Sequence, residues 1–381
     1  MTGVGRHVST TQEDQIATNG GCTVLMRDQV LEALRDVEDP EVHRSIVELG
    51  MVKSIDIDGA HVSVEVLLTI QGCPLSNTIE RSVREKLLVQ DGVETVDVRI
   101  GHMNEEQRAQ FTQTVRGKSA TQGTPAILNP DKGVTFIAVA SGKGGVGKST
   151  VTANLAQAMA ANGLHVGIID ADIYGFSIPG IFGLKYQKPT IIDDLIMPIE
   201  VGNLRIISMH YFVPDNNPVV WRGPMLGKML RNFFSEVHWG ELDVMLLDLP
   251  PGTGDIALDV HQLLPKSKEM IVTTPQPGAA DVAVRAGLMG LRTNHEIIGV
   301  VENMAYFECG GCGERTYLFG RGGGERVARE LHTEVLEQIP IADMSGAASA
   351  LFADGTPQAA AYRQLAAQVI KRAELASPVL S

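Results

Sequence analysis

The chain has 381 residues, 44% of them hydrophobic, and a formal net charge of −13, which suits about two domains with a sizeable core. The acidic balance argues against a general binder of nucleic acid or of anionic membranes, because such partners would repel it. Four cysteines (Cys22, Cys73, Cys309 and Cys312) are too few for a disulfide scaffold, and no apolar run is long enough to span a membrane. We therefore expect a cytoplasmic protein with no nucleic-acid and no membrane partner.

The first hundred residues are predicted to hold a leader and a small domain. Residues 1–25 are polar and lack the apolar centre of a signal peptide, so we expect a disordered leader. Residues 26–101 are predicted to form a small α+β domain. Its predicted elements are a helix at 28–36, strands at 52–57 and 62–70 around an Asp58-Gly59 turn, a helix at 76–88 and a strand at 93–100.

The rest of the chain is predicted to be a linker and a larger α/β domain. Residues 102–131 are polar, with scattered Gln, Thr, Gly and Pro, which is typical of a linker. Over residues 132–381, near-continuous apolar runs alternate with helical segments, which indicates a mostly parallel, doubly wound sheet with ligands at its carboxyl edge. The predicted strands are 136–140, 166–170, 204–208, 244–249, 270–274 and 297–301.

A glycine-rich loop, SGKGGVGKST (141–150), lies between the first of these strands and a helical segment. Its spacing matches the Walker A pattern of P-loop NTPases, whereas a plain flexible turn would not require it. Backbone N–H groups and the positive end of the helix dipole then bind phosphate, with Lys148 at the β- and γ-phosphates and Ser149 on Mg²⁺. The residues predicted to contact ATP here are Gly142, Lys143, Gly144, Gly145, Val146, Gly147, Lys148, Ser149 and Thr150.

Acidic residues end two of the predicted strands. Asp248 ends the run VMLLD, where a Walker B aspartate would hold Mg²⁺, and Asp170 and Asp172 end another run. Each alone could be a helix cap or a strand-end charge, but beside a Walker A loop they converge on one metal–phosphate site. The segment DLPPGTGD (248–255) is predicted to be a switch loop that senses the γ-phosphate.

The cysteines Cys309 and Cys312 form a C-x-x-C pair with two intervening glycines. A redox pair would normally open a helix, whereas these glycines favour an exposed loop. One pair is half of a four-thiolate site, which two chains could complete across a two-fold axis. The spacing alone does not decide between zinc and a [4Fe–4S] cluster. Cys73, in Gly72-Cys73-Pro74, is either a half-buried apolar thiol or a transient ligand.

The motifs resemble one family. GKGGVGKS, with Lys143 ahead of the usual lysine, resembles the deviant Walker A of the ParA, MinD and nitrogenase-iron-protein class. Over roughly residues 134–345 the chain resembles the Mrp family of iron–sulfur cluster carriers, and the N-terminal region resembles a small domain linked to iron–sulfur assembly. The motifs that carry the resemblance are DPE (39–41), SIVELGMV (45–52), LTIQGCPL (68–75), DADIYG (170–175), RGPM (222–225), DLPPGTGD, TTPQ (273–276) and ENM (302–304).

Three departures from the family pattern stand out. Phe176 occupies the position of a usual proline, the C-x-x-C motif lacks its internal proline, and residues 339–349 match the family's terminal loop only loosely. None of them falls on a predicted phosphate contact. The second departure bears on how the metal is held.

The resemblance implies an ATP-hydrolysing carrier, a homodimer that holds a [4Fe–4S] cluster between its protomers and passes it from a scaffold to apoprotein clients. It implies that Lys143 reaches the partner's nucleotide, that Asp172 positions the attacking water and that Asn303 contacts adenine. Lys143, Lys148, Asp172 and Asp248 are thus the predicted catalytic residues. A MinD- or ParA-like positioning ATPase and a zinc-bridged regulatory ATPase dimer remain alternatives.

Overall fold

The computed structural model describes residues 25–117, 125–172, 175–184, 187–212, 223–342 and 350–376. The chain divides into two units, Met1–Gln107 and Arg108–Ser381. All but the last residue of the predicted leader, including Cys22, lies outside the described residues, as do parts of the motifs at 170–175, 222–225 and 339–349.

The first unit contains a small sheet with helices. Its elements are α1 (Arg27–Leu34), β1 (Glu38–Asp39), β2 (Arg44–Ser45), β3 (Val52–Asp58), β4 (His61–Leu68), α2 (Ser76–Leu88) and β5 (Thr95–His102). β3 and β4 pair antiparallel around a turn in which Gly59 has a φ of 58°, a conformation that glycine adopts readily. β4 pairs parallel with β5, and α2 forms the crossover between them. The predicted α+β class of this region is confirmed.

The segment predicted as a linker contains regular structure. It includes α3 (Glu105–Arg116) and two 3₁₀ turns, Ala126–Leu128 and Pro130–Lys132. The Arg116 guanidinium pairs with the Asp194 carboxylate at 2.7 Å, and Ile127 is buried in the core of the second unit. Part of this segment is therefore built into the second unit.

The second unit is built around a large, mostly parallel sheet. In the described residues its strand order is β10-β11-β7-β12-β6-β13-β14-β17, and of the neighbouring strands only β10 and β11 pair antiparallel. The strands of the unit are β6 (Thr135–Ser141), β7 (Val166–Asp170), β8 (Ile191–Ile192), β9 (Leu195–Ile196), β10 (Ile199–Val201), β11 (Leu204–Ser208), β12 (Val244–Asp248), β13 (Lys268–Thr273), β14 (Glu296–Glu302), β15 (Phe307–Glu308), β16 (Arg315–Thr316) and β17 (Val335–Gln338).

Helices cover both faces of this sheet. They are α4 (Lys148–Ala161), α5 (Ile178–Ile181), α6 (Gly223–Ser235), α7 (Asp255–Leu263), α8 (Pro277–Arg292), α9 (Gly323–Glu330) and α10 (Pro357–Arg372). Alternate residues of β6 show the two layers: Ile137 and Val139 belong to a core with α4 and α10, whereas Ala138 and Ala140 belong to a core with α6, α7 and α8. The predicted doubly wound α/β class is confirmed, and the carboxyl ends of its parallel strands meet at one edge.

Candidate nucleotide site and cysteine hairpin

The glycine-rich loop joins β6 to the start of α4. Gly145 and Gly147 have φ values of 81° and 82°, in the left-handed region that a side chain disfavours. Gly142 lies against the backbone of α8, since a Cβ there would come within 2.2 Å of the Val282 carbonyl carbon. The loop conformation therefore requires glycine at these positions for two different reasons, torsion and close packing.

The loop lines a cleft of about 670 Å³ at the carboxyl edge of the sheet. Asp172 and the Pro250-Pro251 segment of the predicted switch loop also line this cleft. Gly142 and Asn303, both predicted to contact ATP, are not among the residues that line the cleft. The predicted ATP contacts that do line it are Lys143, Gly144, Gly145, Val146, Gly147, Lys148, Ser149 and Thr150.

Asp248 is the centre of a buried polar cluster beneath the loop. Its Oδ1 atom accepts hydrogen bonds from Lys148 Nζ at 2.8 Å and from Thr152 Oγ1 at 2.9 Å, and its Oδ2 atom accepts one from Ser149 Oγ at 2.6 Å. The Asp248 side chain is fully buried, so this carboxylate depends on the lysine charge and the hydroxyls for its stability. Sequence reasoning missed Thr152. Its position four residues after Lys148, on the same face of α4, is the signal that could have found it.

Asp170 lies beside Asp248 because β7 and β12 pair in register at these two residues. Burial, and then the negative charge of Asp248, raise the pKa of the Asp170 carboxyl to about 7. Its Oδ2 atom accepts hydrogen bonds from Ser208 Oγ at 3.0 Å and from the Ile178 N–H at 3.3 Å. Ser208, the last residue of β11, was also missed, and its position at the end of a predicted strand is the only signal for it in the sequence.

Asp172 and Lys143 both line the cleft. The Asp172 Oδ1 atom accepts a hydrogen bond from the Gly175 N–H at 3.0 Å, which fixes the carboxylate in the turn after β7. The Lys143 Nζ atom lies 3.4 Å from Oε1 of Gln276, the residue before α8. The structure thus brings together the four residues predicted to be catalytic, Lys143, Lys148, Asp172 and Asp248.

Asn303 contacts the glycine-rich loop through a buried hydrogen bond. Its Nδ2 atom donates a hydrogen bond to the Val146 carbonyl at 2.9 Å, and the side chain is 6% exposed. The preceding Glu302 is also buried, and burial raises the pKa of its carboxyl. Glu302 accepts hydrogen bonds from the Gly324 N–H and from Gln338 Nε2, both at 2.7 Å. The adenine contact of Asn303 stays a prediction.

Cys309 and Cys312 lie in the turn between β15 and β16. Cys312 is exposed and Cys309 is partly exposed. Hydrogen bonds from the backbone N–H groups of Gly311 and Cys312, and then from the Cys312 side chain, lower the pKa of the Cys309 thiol. The described residues contain no group of three or more His, Cys, Asp or Glu side chains placed to hold a metal. In the part of the chain that the structure describes, this hairpin presents two free thiols.

Aromatic and arginine side chains hold the base of the cysteine hairpin. The Arg315 guanidinium lies 4.2 Å from the centre of the Tyr306 ring, and the Arg321 guanidinium lies 3.6 Å from that of Tyr317. The two tyrosine rings are 6.0 Å apart, and Tyr306 is buried. Arg315 also pairs with Glu308 across the hairpin at 3.1 Å. These contacts hold together the two ends of the hairpin that carries the cysteines.

Cys73 differs from the hairpin cysteines. It is partly buried, and burial raises the pKa of its thiol, with a further increase from the Glu41 and Asp39 carboxylates. A thiol with a raised pKa carries less thiolate, the form that binds metal. Both of its interpretations, apolar thiol and transient ligand, remain open.

The strand order, the loop between β6 and α4 and the buried Asp248 define the second unit as a P-loop NTPase. The chain belongs to the family of NUBPL iron-transfer P-loop NTPases, whose family model matches residues 133–371. A second model, that of an iron–sulfur cluster assembly protein, matches residues 27–98. The family resemblance identified from the motifs is confirmed. No helix in the described ranges combines the length and apolar character needed to cross a bilayer.

Relatives resemble the chain over most of its length. An iron–sulfur cluster carrier protein of Bacillus subtilis is 46% identical over 352 residues, which are 91% of this chain and 98% of that protein. One of Mycobacterium tuberculosis (strain H37Rv) is 47% identical over 311 residues, 81% of each chain. A solved nucleotide-binding protein of Archaeoglobus fulgidus in complex with ADP is 41% identical, with a TM-score of 0.49, and the match covers 58% of this chain and 88% of that one.

Proposed function

We propose that this chain is a cytoplasmic ATP-binding and ATP-hydrolysing carrier of iron–sulfur clusters. Two protomers hold one [4Fe–4S] cluster between them as cargo, receive it from a scaffold and transfer it to apoproteins. The observation that carries the proposal is a pair of thiols, the partly exposed Cys309 and the exposed Cys312, on a P-loop NTPase whose relatives are named cluster carriers. Two thiols are half of the four that such a cluster usually takes.

The hairpin chemistry suits a cargo that must be bound and released. The lowered pKa of Cys309 favours the thiolate, which is the ligand form. Gly310 has no side chain, and no atom lies within 4 Å of the place its Cβ would take, so the space beside it is open. The backbone N–H groups that donate to the Cys309 sulfur can also donate to cluster sulfides and tune their lability. An exposed site at a subunit boundary leaves the cluster accessible to a client.

The nucleotide site fits Mg²⁺ and the phosphates of ATP. Oxygen donors are the ligands that Mg²⁺ prefers, and Ser149 Oγ and Asp248 Oδ2 lie 2.6 Å apart beside a second buried carboxylate, Asp170. Ser149 and Asp248 would hold the ion, which would supply positive charge at the β- and γ-phosphates. Lys148 Nζ, now 2.8 Å from Asp248 Oδ1, would exchange this partner for phosphate oxygens.

Asp172 and Lys143 have the remaining roles in hydrolysis. Asp172 lines the cleft with its carboxylate oriented by the Gly175 N–H, which suits a residue that positions the attacking water. Lys143 lines the same cleft and would reach the nucleotide of the partner protomer in the homodimer. Nucleotide and cluster would then share one subunit interface.

Metal analysis of protein purified without oxygen tests this function. We expect one cluster per dimer, about two iron and two sulfide per chain, with visible absorbance. Cys309→Ala and Cys312→Ala should each lose the iron and still bind nucleotide, whereas Cys73→Ala, at the partly buried thiol, should keep it. Stoichiometric zinc in place of iron would favour the zinc-bridged dimer. Full iron content in a variant that combines Cys309→Ala with Cys312→Ala would place the cluster elsewhere.

A further inference from the structure

A short segment connects the nucleotide loop to the cysteine hairpin. The Asn303 Nδ2 atom donates to the Val146 carbonyl, and a Cβ on Gly147 would lie 2.2 Å from that same nitrogen. The Met304 Cε atom would lie 3.6 Å from the same Cβ. The two side chains therefore pack directly on the loop, with no space between them and the start of α4.

Met304 has an unusual backbone conformation. Its φ is 55°, in the left-handed region that residues with a Cβ seldom adopt, because the Cβ approaches the backbone carbonyl. Such conformations persist only where surrounding contacts determine them. Here one of these contacts is with the nucleotide loop at Gly147, so a change in the loop would change part of what holds Met304 in place.

Both ends of the segment are anchored. On one side, Asn303 N–H donates to the Thr273 carbonyl at 2.8 Å, at the end of β13. On the other, the Ala305 N–H donates to the Ile339 carbonyl at 2.9 Å, and the Ile341 N–H donates to the Tyr306 carbonyl at 2.7 Å. The backbone between Asn303 and Tyr306 is thus hydrogen-bonded at both ends and does not form a loose loop.

We propose that Asn303 and Met304 are positioning residues that couple the conformation of the nucleotide loop to the cysteine hairpin. Cys309 follows Asn303 by six positions, a distance of at most about 20 Å of extended chain. Nucleotide binding would alter the loop, and through these residues the exposure and reactivity of the two thiols. The proposal deepens the carrier function and rests on it for the role of the hairpin. It identifies the connection through which ATP would control the cluster.

Thiol alkylation in the cluster-free, reduced chain measures this coupling. The rates of iodoacetamide modification of Cys309 and Cys312 are followed by mass spectrometry, without nucleotide and with saturating MgADP or a non-hydrolysable MgATP analogue. We expect nucleotide to change these rates by about fivefold or more, the usual range for coupled sites. For each cysteine in Asn303→Ala, the rate at saturating nucleotide divided by the rate without nucleotide should be about one.

Asn162→Ala is the matched control, because the Asn162 amide donates to the Ala158 carbonyl at 2.8 Å at the other end of α4. It should keep the ratio of the parent chain. Met304→Ala, which retains the Asn303 amide, should bring this ratio of rates closer to one. It tests the coupling even if Asn303→Ala fails to bind nucleotide. A ratio of one in the parent, or a parent-like ratio in both Asn303→Ala and Met304→Ala, would overturn the coupling. The coupling would also be overturned if Asn303→Ala lost only its discrimination between ATP and GTP and kept the ratio of rates of the parent.

This experiment is independent of the cluster assignment. A chain that binds zinc rather than iron would still show the coupling in its alkylation rates. Conversely, a chain with full iron content and no nucleotide effect on its thiols would be a carrier without this coupling.

Discussion

Replacing Asp170 with asparagine tests the charge balance at the ends of β7 and β12. The folded chain raises the pKa of this carboxyl from 3.8 to about 7, first through burial and then through the charge of Asp248. Between these two values the folded chain holds a proton that the unfolded chain has released. The stability that this proton contributes is therefore complete below about pH 4 and is lost as the pH rises to about 7.

The size of the effect follows from the two pKa values. Since one pKa unit corresponds to about 1.4 kcal/mol, the parent loses about 3 kcal/mol between pH 5 and pH 8, most of it below pH 7. Asparagine cannot ionise and escapes this loss. At pH 5 the Asp170→Asn variant should be less stable than the parent by about 1–2 kcal/mol. The reason is that three donors converge on the carboxyl and the amide offers one acceptor oxygen. At pH 8 the order should reverse.

Calorimetry in EDTA, without nucleotide, measures the difference. A relative change of about 3 kcal/mol corresponds to a shift of about 6–12 °C in melting temperature for a unit of this size. The transition that belongs to the second unit is the one that MgADP moves in a separate scan. Asp354→Asn, which removes a carboxylate 99% exposed in its pair with Arg363, should keep the pH dependence of the parent. Equal pH dependence of parent and Asp170→Asn would refute the reasoning.

Three further variants address the nucleotide site. Lys148→Ala should abolish MgATP binding and lower the free energy of unfolding by about 3 kcal/mol, since Asp248 loses its buried counter-charge. As a control, Lys132→Ala, in an exposed ion pair, should change the free energy of unfolding by less than about 1 kcal/mol. Titration calorimetry measures the binding, and urea unfolding measures the stability. Asp172→Ala should bind MgATP with near-parent affinity and lower kcat about 100-fold or more in a phosphate-release assay, and unchanged turnover would remove its role. Gly142→Ala should weaken nucleotide binding at least tenfold, because the added Cβ meets the backbone of α8 and moves the loop; parent-like affinity would contradict that packing argument.

Most of the large sheet could be predicted because its strands are buried on both faces. The runs at 166–170 and 204–208 agree with β7 and β11 in both bounds, and the other predicted strands differ by one or two residues at one or both ends. Two strands of the sheet were not predicted. β10 has three residues, and β17, VLEQ, has only two apolar ones, so neither gives a continuous apolar run. Edge strands such as these are exposed on one side and lose the pattern that marks a buried strand.

The composition of the nucleotide site was less predictable than its location. Walker A spacing identifies the loop, because the phosphate contacts are local in sequence. Thr152 and Ser208 reach the buried carboxylates only through the pairing of β7 with β11 and β12 and the orientation of α4, which are tertiary features. Asn303 illustrates the same limit: its position after a strand is visible in the sequence, but its hydrogen bond to Val146 is not.

The contacts among Tyr306, Tyr317, Arg315 and Arg321 at the base of the cysteine hairpin have a consequence for folding. Small metal-binding modules often collapse when a chelator removes their ion, because the ion holds the chain together. Here the hairpin is held by ring and guanidinium contacts and by a backbone hydrogen bond from the Cys309 N–H to Glu314. Its thiols are therefore in place before any metal arrives, and a chelator should remove the metal without unfolding the chain. The hairpin can therefore release its metal and bind another without refolding.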